Sequence, residues 1–340
     1  MRCGLVPRKV SSLKALNWAV GSRVPIWILL IATFWIYTVH YVLFLTFPFQ
    51  VEFGEGSAFV YADRLRQALP LYQDLSQPPF VICPYTPVFF WLSGLLMNVF
   101  GFGLWAGRFI AEVSNIAIAG LLVWWGWRRL GPTGGVFCIG FYLINAMVLY
   151  WSKLMRVDFL GLLFTLLGLL CCTRQDGKRD IEGAVSFALA FAVKQSFVTA
   201  PLAVGLVLLR RDPKRAVKFG AIYAALVIAT LLGLNHTTEG MFWHSAFELL
   251  GKTTYTVYNW QMLWDMGGAY CLSVLGHLFF AVWFLLRKGW RLEPVIVLYW
   301  LLTTVLAVGI VREGGFDNYF LEFHLGLCLV AAAGAAKLYQ

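Results

Sequence analysis

Long apolar stretches separated by short polar segments run along most of this chain. A helix needs about 20 mostly apolar residues to cross a bilayer, with a range of roughly 17–25. The stretches with this character are 25–49, 104–127, 135–151, 157–172, 219–234, 262–286, 294–311 and 321–336. With a further pair described below, the pattern predicts an all-α integral membrane protein with about ten transmembrane helices.

The further pair lies within residues 183–209, between two basic loops. Two full spans do not fit in this length. A break at Lys194-Gln195-Ser196, followed by Pro201, predicts two short helices instead. Helices interrupted inside a membrane usually line a cavity, because their unpaired backbone groups need water or a ligand.

The basic residues predict how the chain is oriented, since Lys and Arg collect in cytoplasmic loops. The apolar stretch 88–100 is too short for an ordinary span and suits an interfacial helix. With it on the outer surface, most of the 27 Lys and Arg residues fall inside. We therefore predict a cytoplasmic N-terminus at 1–24, a single polytopic domain at 25–340 and an extracytoplasmic loop at 50–103, in the plasma (inner) membrane.

Composition agrees with a membrane protein. Hydrophobic residues make up 60% of the 340 positions and charged residues 13%, with a net charge of +10. Soluble domains carry about 25% charged residues, so a soluble enzyme is excluded and no nucleic-acid partner is expected. The seven cysteines show no CxxC spacing. A Walker A motif, a GxGxxG fingerprint and an Asp-x-Asp pair are also missing from the sequence.

Charged residues near the outer ends of the spans are the candidates for function, because charge at membrane depth is unfavourable and is usually retained for a purpose. Lys194 follows an apolar run. Arg108 and Glu112 are spaced to pair at i,i+4 on one helix. Arg156 and Asp158, at i,i+2, do not face each other on a helix, so each needs another partner.

The first outer loop carries two carboxylates, Glu52 and Glu55, close to the membrane face. Gly54 and Gly56 flank Glu55 and predict a bend there. Residues 58–68 then have apolar positions near helical spacing, which predicts a helix lying on the bilayer. The outer histidines lack the spacing of a helical metal site, so we assign no metal ligands.

Several short motifs occur in a familiar order. They are Gly54-Glu55-Gly56, Leu71-Tyr72, Pro78-Pro79, Tyr85-x-Pro87, Gly107-Arg108, Arg156-Val157-Asp158, Val193-Lys194-Gln195 and Asp317-Asn318-Tyr319-Phe320-Leu321-Glu322. This order resembles the GT-C superfamily of polyprenyl-phosphate-sugar glycosyltransferases. The similar branch contains the protein O-mannosyltransferases and the aminoarabinose transferase of lipid A. Each motif is short, and the likeness rests on their order over residues 25–325.

The resemblance implies a GT-C-like membrane fold and transfer of a sugar from a polyprenyl-phosphate donor to an acceptor hydroxyl on the extracytoplasmic face. In that family an acidic residue opening the first outer loop is the acid/base. Glu55 best matches it, and Glu52 remains the alternative, because the family usually has Asp followed by Glu. The donor-phosphate candidates are Lys194, Arg108 and Arg156. The substrate-orienting candidates are Asp158, Asp317, Asn318, Tyr319 and Glu322.

The resemblance leaves the sugar open, and the acceptor is a glycan, a lipid or a protein. Membrane lipids are further expected partners. The resemblance implies no particular cofactor, and a divalent metal ion is compatible with the chemistry. Two other readings compete. A transporter or lipid flippase shares the broken helix, but needs polar residues leading to both sides of the membrane. A non-catalytic membrane scaffold leaves the outer cluster of charges unexplained.

Overall fold

The computed structural model describes residues 24–76, 78–173, 177–254, 257–312 and 315–339, and these are mainly α-helical. The chain divides into two compact units, Met1–Leu43 and Phe44–Gln340. Helix α1, Val24–Thr46, accounts for the described part of the first unit and continues past its boundary. Residues 1–23, predicted to form most of the cytoplasmic N-terminus, lie outside the described residues.

The first outer loop contains two helices, α2 (Phe53–Arg66) and α3 (Val88–Phe100). The bounds of α3 match the predicted interfacial helix. The predicted bend at Gly54 and Gly56 is wrong, because α2 starts earlier than expected and both glycines lie in its first turn. The helices pack closely at Gly94, where a Cβ would lie 2.7 Å from the Ala62 carbonyl oxygen.

Helix α4, Trp105–Leu143, is two helices joined at a break. Gly131 has φ 80° and ψ −179°, and Pro132 follows it. The chain folds back here, since a Cβ at Gly126 would lie 2.7 Å from the carbonyl oxygen of Gly134. The predicted span 135–151 is shorter than expected. It ends at Leu143, and α5 (Ala146–Trp151) begins after Asn145, whose side chain accepts a hydrogen bond from the Met147 amide.

The next four helices are α6 (Asp158–Cys172), α7 (Asp180–Val193), α8 (Thr199–Arg211) and α9 (Pro213–Thr237). The predicted break between α7 and α8 is confirmed. Helix α7 ends at Val193, and Lys194 is extended, with φ −155° and ψ 119°. Pro201 falls in the first turn of α8, where the missing amide hydrogen does not interrupt the helix. The break places the Lys194 side chain beside the N-terminus of α6.

The remaining elements follow a short helical segment, which consists of Met241–Trp243, the π-helix His244–Glu248 and Leu249–Gly251. After it come α10 (Val257–Ser273), α11 (Leu275–Leu286), α12 (Gly289–Leu292), α13 (Pro294–Ala307), the 3-10 turns Val308–Val311 and Asp317–Tyr319, and α14 (Phe320–Tyr339). Helix α14 is buried along nearly its whole length and packs against α4, α11 and α13.

The prediction of one continuous helix over 262–286 is wrong. The segments Trp260–Ser273 and Leu275–Leu286 are bent by 77°. Val274 leaves the helical conformation, and the Ser273 hydroxyl donates to the Tyr270 carbonyl, a bond that competes with the backbone ladder and favours bending. Neither feature has a strong sequence signal, because no Pro or Gly stands at the bend.

Among the described residues, four helices are long and apolar enough to cross a membrane. They are Trp105–Leu143, Pro213–Thr237, Pro294–Val311 and Asp317–Tyr339. The bent pair adds a fifth if it is counted as one span. These helices confirm an all-α, multi-pass membrane protein, and the number of about ten spans stays a prediction.

The fold-back within α4 predicts opposite effects for two glycine substitutions. In Gly126→Ala the new Cβ meets the Gly134 carbonyl and the Cys138 sulfur at 2.7 and 2.8 Å, so backbone must move. We expect a loss of about 1–3 kcal/mol of stability, measured by unfolding in detergent. The matched control is Gly120→Ala on the same helix, which has open space around its Cβ and should be neutral or slightly stabilising. Equal effects of the two changes would contradict the fold-back.

Candidate active site

Two of the ten predicted site residues, Glu52 and Arg156, line one cavity of about 380 Å³. The N-terminus of α2, the segment between α5 and α6, and residues 315–316 form much of its wall. The polar or aromatic side chains that line it are Glu52, Phe53, Ser57, Tyr61, Tyr85, Phe90, Arg156 and Phe316. Glu52 and Arg156, which are 104 positions apart in the sequence, are therefore brought to one cavity.

Glu55 and Arg108 form a buried bidentate ion pair. Arg108 Nε and Nη2 lie 2.9 Å from the two carboxylate oxygens of Glu55. The Val51 and Met155 amides donate to the same two oxygens, each at 2.8 Å. Glu55 thus accepts four hydrogen bonds, two at each oxygen, and its side chain is 0% exposed.

The remaining donors of Arg108 go to the backbone before α2. Nη1 donates to the carbonyls of Phe44 and Phe47, and Nη2 donates to that of Phe49. Together with Glu55, these acceptors use all five N–H groups of the guanidinium. Neither charged group retains capacity for a substrate in this arrangement. The pairing of Arg108 with Glu112, expected from their i,i+4 spacing, is wrong, because Glu112 instead lies 3.5 Å from Lys153.

Glu52 lies just before α2 and faces the cavity. One of its carboxylate oxygens lies 3.3 Å from Arg156 Nη1. The two side chains are 15% and 12% exposed, in contrast to the closed Glu55 pair. Gly54 makes room for the guanidinium, because a Cβ there would collide with Arg156 Nη1. Glu52 therefore combines an anchored position with access to the cavity.

Asp158 connects the two cations of the site. Lys194 Nζ lies 2.8 Å from its Oδ1, and the Asn318 amide donates to the same oxygen at 3.1 Å. Arg156 Nε lies 4.0 Å from Oδ2, which has no hydrogen-bond partner among the described residues. Arg156 and Asp158 interact although their spacing is wrong for a helix, because α6 begins between them. The carboxylate holds the two cations in one region.

Lys194 is surrounded by aromatic rings as well as by Asp158. Its Nζ lies 5.5–6.0 Å from the ring centroids of Tyr85, Phe197 and Tyr319. A cation over aromatic faces is attracted by their quadrupoles, and the attraction is stronger when water is excluded. The side chain is 10% exposed. This explains how an ammonium is accommodated at the break between two apolar helices.

Asp317 and Glu322 lie at the edge of this arrangement. The Trp151 indole donates to Asp317 Oδ1 at 2.9 Å, and the Arg156 guanidinium lies 5.5 Å from the Trp151 ring. Glu322 is buried and accepts a hydrogen bond from the Thr199 hydroxyl. It lines a small cavity of about 20 Å³, shared with Asp158, Lys194, Asn318 and Tyr319.

Several site residues were not assigned a role from sequence. Tyr85 and Gln195 stood within the quoted motifs, and Gln195 Nε2 donates to the Pro84 carbonyl at 2.5 Å. The Tyr61 hydroxyl donates to the Ile82 carbonyl. Burial raises the pKa of Tyr61 well above its usual value, so the hydroxyl keeps its proton as a donor. Trp151 gave no signal, since tryptophans are common at span ends.

The described residues contain no group of three or more His, Cys, Asp or Glu side chains placed to hold a metal ion. What the cavity and its surroundings offer is two cations and a partly exposed carboxylate. That combination suits an anionic ligand next to a group that loses a proton.

Comparison with known proteins gives one family match and one fold match. Residues 83–236 match the family model described as dolichyl-phosphate-mannose-protein mannosyltransferase. No significant match was found among curated proteins. The fold is similar to two crystal structures of ArnT from Cupriavidus metallidurans. These are the apo state (TM-score 0.67, 14% identity) and a complex with undecaprenyl phosphate (TM-score 0.65, 13% identity).

Both ArnT alignments cover 90% of this chain and 59% of the ArnT chain. The present chain therefore spans about three fifths of the length of the structures it matches. The family match covers the α3–α9 region. The similarity to the ArnT fold covers most of the chain. The family model over residues 83–236 and the similarity to the ArnT fold agree with the GT-C-like fold that the sequence motifs predict.

Proposed function

We propose that this protein is a membrane glycosyltransferase that moves a sugar from a polyprenyl-phosphate donor to an acceptor hydroxyl. The observation that carries the proposal is the cavity where Glu52 faces Arg156, with Lys194 linked to Arg156 through Asp158. The ArnT structure bound to undecaprenyl phosphate supports the donor class. The sugar and the acceptor are not specified by this arrangement.

Glu52 is the proposed base. The acceptor oxygen attacks the anomeric carbon, its proton passes to the Glu52 carboxylate, and the bond from that carbon to the phosphate oxygen breaks. The electron pair of that bond leaves with the lipid phosphate. A base needs a free lone pair within reach of the acceptor. Glu52 has Arg156 as its hydrogen-bond partner, whereas all four acceptor positions of Glu55 are used.

Arg156 and Lys194 are the proposed phosphate-binding groups. Negative charge grows on the leaving phosphate as the glycosidic bond breaks, and fixed cations stabilise that charge without reorganising. Asp158 positions both cations, and Asn318 holds Asp158. Asp317, Tyr319 and Glu322 are proposed to orient the sugar or Lys194. Arg108 is proposed to position Glu55 and the start of α2 instead of binding phosphate.

The site is proposed to open on the extracytoplasmic side of the plasma (inner) membrane, with the N-terminus in the cytoplasm. The support is the predicted distribution of basic residues, which places most of them at the other ends of the helices. Donor lipids carry their phosphate at headgroup level and their prenyl tail in the bilayer. A cation at a helix break near that level suits such a donor.

The proposal is tested with membranes containing the full chain and a radiolabelled polyprenyl-phosphate sugar. Label is then measured in the lipid-donor, glycan, lipid-acceptor and protein fractions. Transfer of label from the donor into any acceptor fraction is expected. Movement of intact donor across the vesicle membrane without transfer would instead support a flippase and overturn the proposal.

Glu52→Gln is expected to lower sugar transfer by about 10²–10⁴-fold, because the proton acceptor is lost while the side-chain shape is kept. Unfolding in detergent should change much less than in Glu55→Gln, since Arg156 keeps Asp158 as a second acidic neighbour at 4.0 Å. Asp63→Asn, on the same helix but outside the cavity, is the matched control. Full activity of Glu52→Gln would remove Glu52 from the role.

Glu55→Gln is expected to act on stability. The change leaves the buried Arg108 guanidinium without its counter-charge, and breaking a buried pair costs roughly 3–5 kcal/mol. Thermal unfolding of the purified variant measures the loss. A stable Glu55→Gln protein that lacks sugar transfer would reverse the roles proposed for Glu52 and Glu55.

Lys194→Gln is expected to weaken binding of undecaprenyl phosphate by about tenfold or more, because a cation facing the phosphate is removed. The measurement is the concentration dependence of the thermal shift produced by this lipid in detergent. Lys218→Gln, an exposed lysine in α9 that does not line the cavity, is the control. Unchanged affinity in Lys194→Gln would contradict the phosphate-binding role.

A further inference from the structure

A second cavity lies at the opposite end of the first segment of α4. Arg108 and Arg128 are separated by 20 residues of this helix, which corresponds to about 30 Å, close to the thickness of the hydrocarbon core. The cavity measures about 850 Å³. Its lining residues are Leu121, Trp124, Trp125, Arg128, Arg129, Leu167, Leu170, Cys171, Thr173 and Arg179.

The charge of this second cavity has one sign. Arg128, Arg129 and Arg179 line it, and none of its described lining residues is Asp or Glu. Arg129 is held in place by donating to the Thr173 carbonyl at 3.0 Å. Arg128 and Arg179 are exposed and have no ion-pair partner among the described residues. The nearby Arg215 differs, because it is paired with Asp180. Arg128 and Arg179 are therefore available to an anion, whereas Arg129 also interacts electrostatically with Glu293.

The inner wall of the second cavity has an apolar surface and a hydrogen-bond donor that lacks an acceptor among the described residues. Leu121 comes from α4, and Leu167 and Leu170 come from α6. Trp125 is only 2% exposed, and its indole N–H has no hydrogen-bond acceptor among the described residues. A buried donor without a partner is unfavourable, so such groups usually serve a ligand or a water molecule. This observation is independent of the arginines.

We propose that this second cavity binds the phosphate headgroup of an anionic membrane phospholipid. The three arginines contact the phosphate, and one acyl chain lies along Leu121, Leu167 and Leu170. Basic pockets between transmembrane helices recognise anionic lipid headgroups in this way. An apolar wall has no use in binding free phosphate, and the distance of about 30 Å from Arg108 separates this site from the cavity of Glu52. The inference does not rest on the proposed sugar transfer.

The experiment uses the full chain purified in detergent. Phosphatidylglycerol, phosphatidylcholine or inorganic phosphate is titrated in, and bound lipid is counted by native mass spectrometry. The test variant is the double change Arg128→Gln and Arg179→Gln, which spares Arg129 and its bond to Thr173. The control variant, Arg210→Gln and Arg287→Gln, removes the same charge from exposed arginines outside the cavity.

Phosphatidylglycerol is expected to bind more tightly than phosphatidylcholine. Its affinity should fall by about tenfold or more in the test variant and stay the same in the control variant. Trp125→Phe should lower the affinity several-fold while keeping the aromatic packing. Equal affinity in the test and control variants would overturn the proposal. Competition by inorganic phosphate at equal concentration would overturn the assignment to a lipid. Sugar transfer, measured separately, should be the same in both double variants.

Discussion

The buried pair of Glu55 and Arg108 fixes the geometry on which the rest of the candidate active site depends. Burial of two charges is tolerated only when their hydrogen bonds are complete. Here the guanidinium uses five donors and the carboxylate four acceptor positions, and the partners come from the chain before α2, from α4 and from Met155. The pair therefore joins three parts of the chain. It fixes where α2 begins, and so it holds Glu52 at the mouth of the cavity.

Two local backbone features position the two cations of the site. The break after Val193 releases Lys194 from helical geometry, and its Nζ reaches Asp158 at the first turn of α6. The missing side chain at Gly54 lets the Arg156 guanidinium approach the start of α2. Each feature places a long basic side chain where a continuous helix or a larger residue would exclude it. The resulting site has mixed charge, and Asp158 joins its two cations.

Local sequence patterns predicted the elements better than the contacts between them. The bounds of α3 and the break at Lys194 followed from apolar length and from polar residues within it. The sequence pattern did not predict the ion-pair partner of Arg108. The i,i+4 spacing favours Glu112, whereas the observed partner, Glu55, lies 53 positions away. The choice between Glu52 and Glu55 was open for the same reason. It depends on which carboxylate has its hydrogen bonds completed, and the Met155 amide that completes Glu55 lies 100 positions along the chain.

Residues of the same type therefore have different roles, depending on how much of their hydrogen-bonding capacity is used. Arg108 and Glu55 are saturated by protein groups, which is why we propose that they stabilise the fold and do not bind a ligand. Glu52 and Arg156 remain partly exposed, and Asp158 Oδ2 lacks a hydrogen bond among the described residues. An incomplete buried network is unfavourable by itself. A polar ligand that supplies the missing partners would remove that penalty, and this is the physical reason for proposing that substrate binds at the unsaturated half of the network.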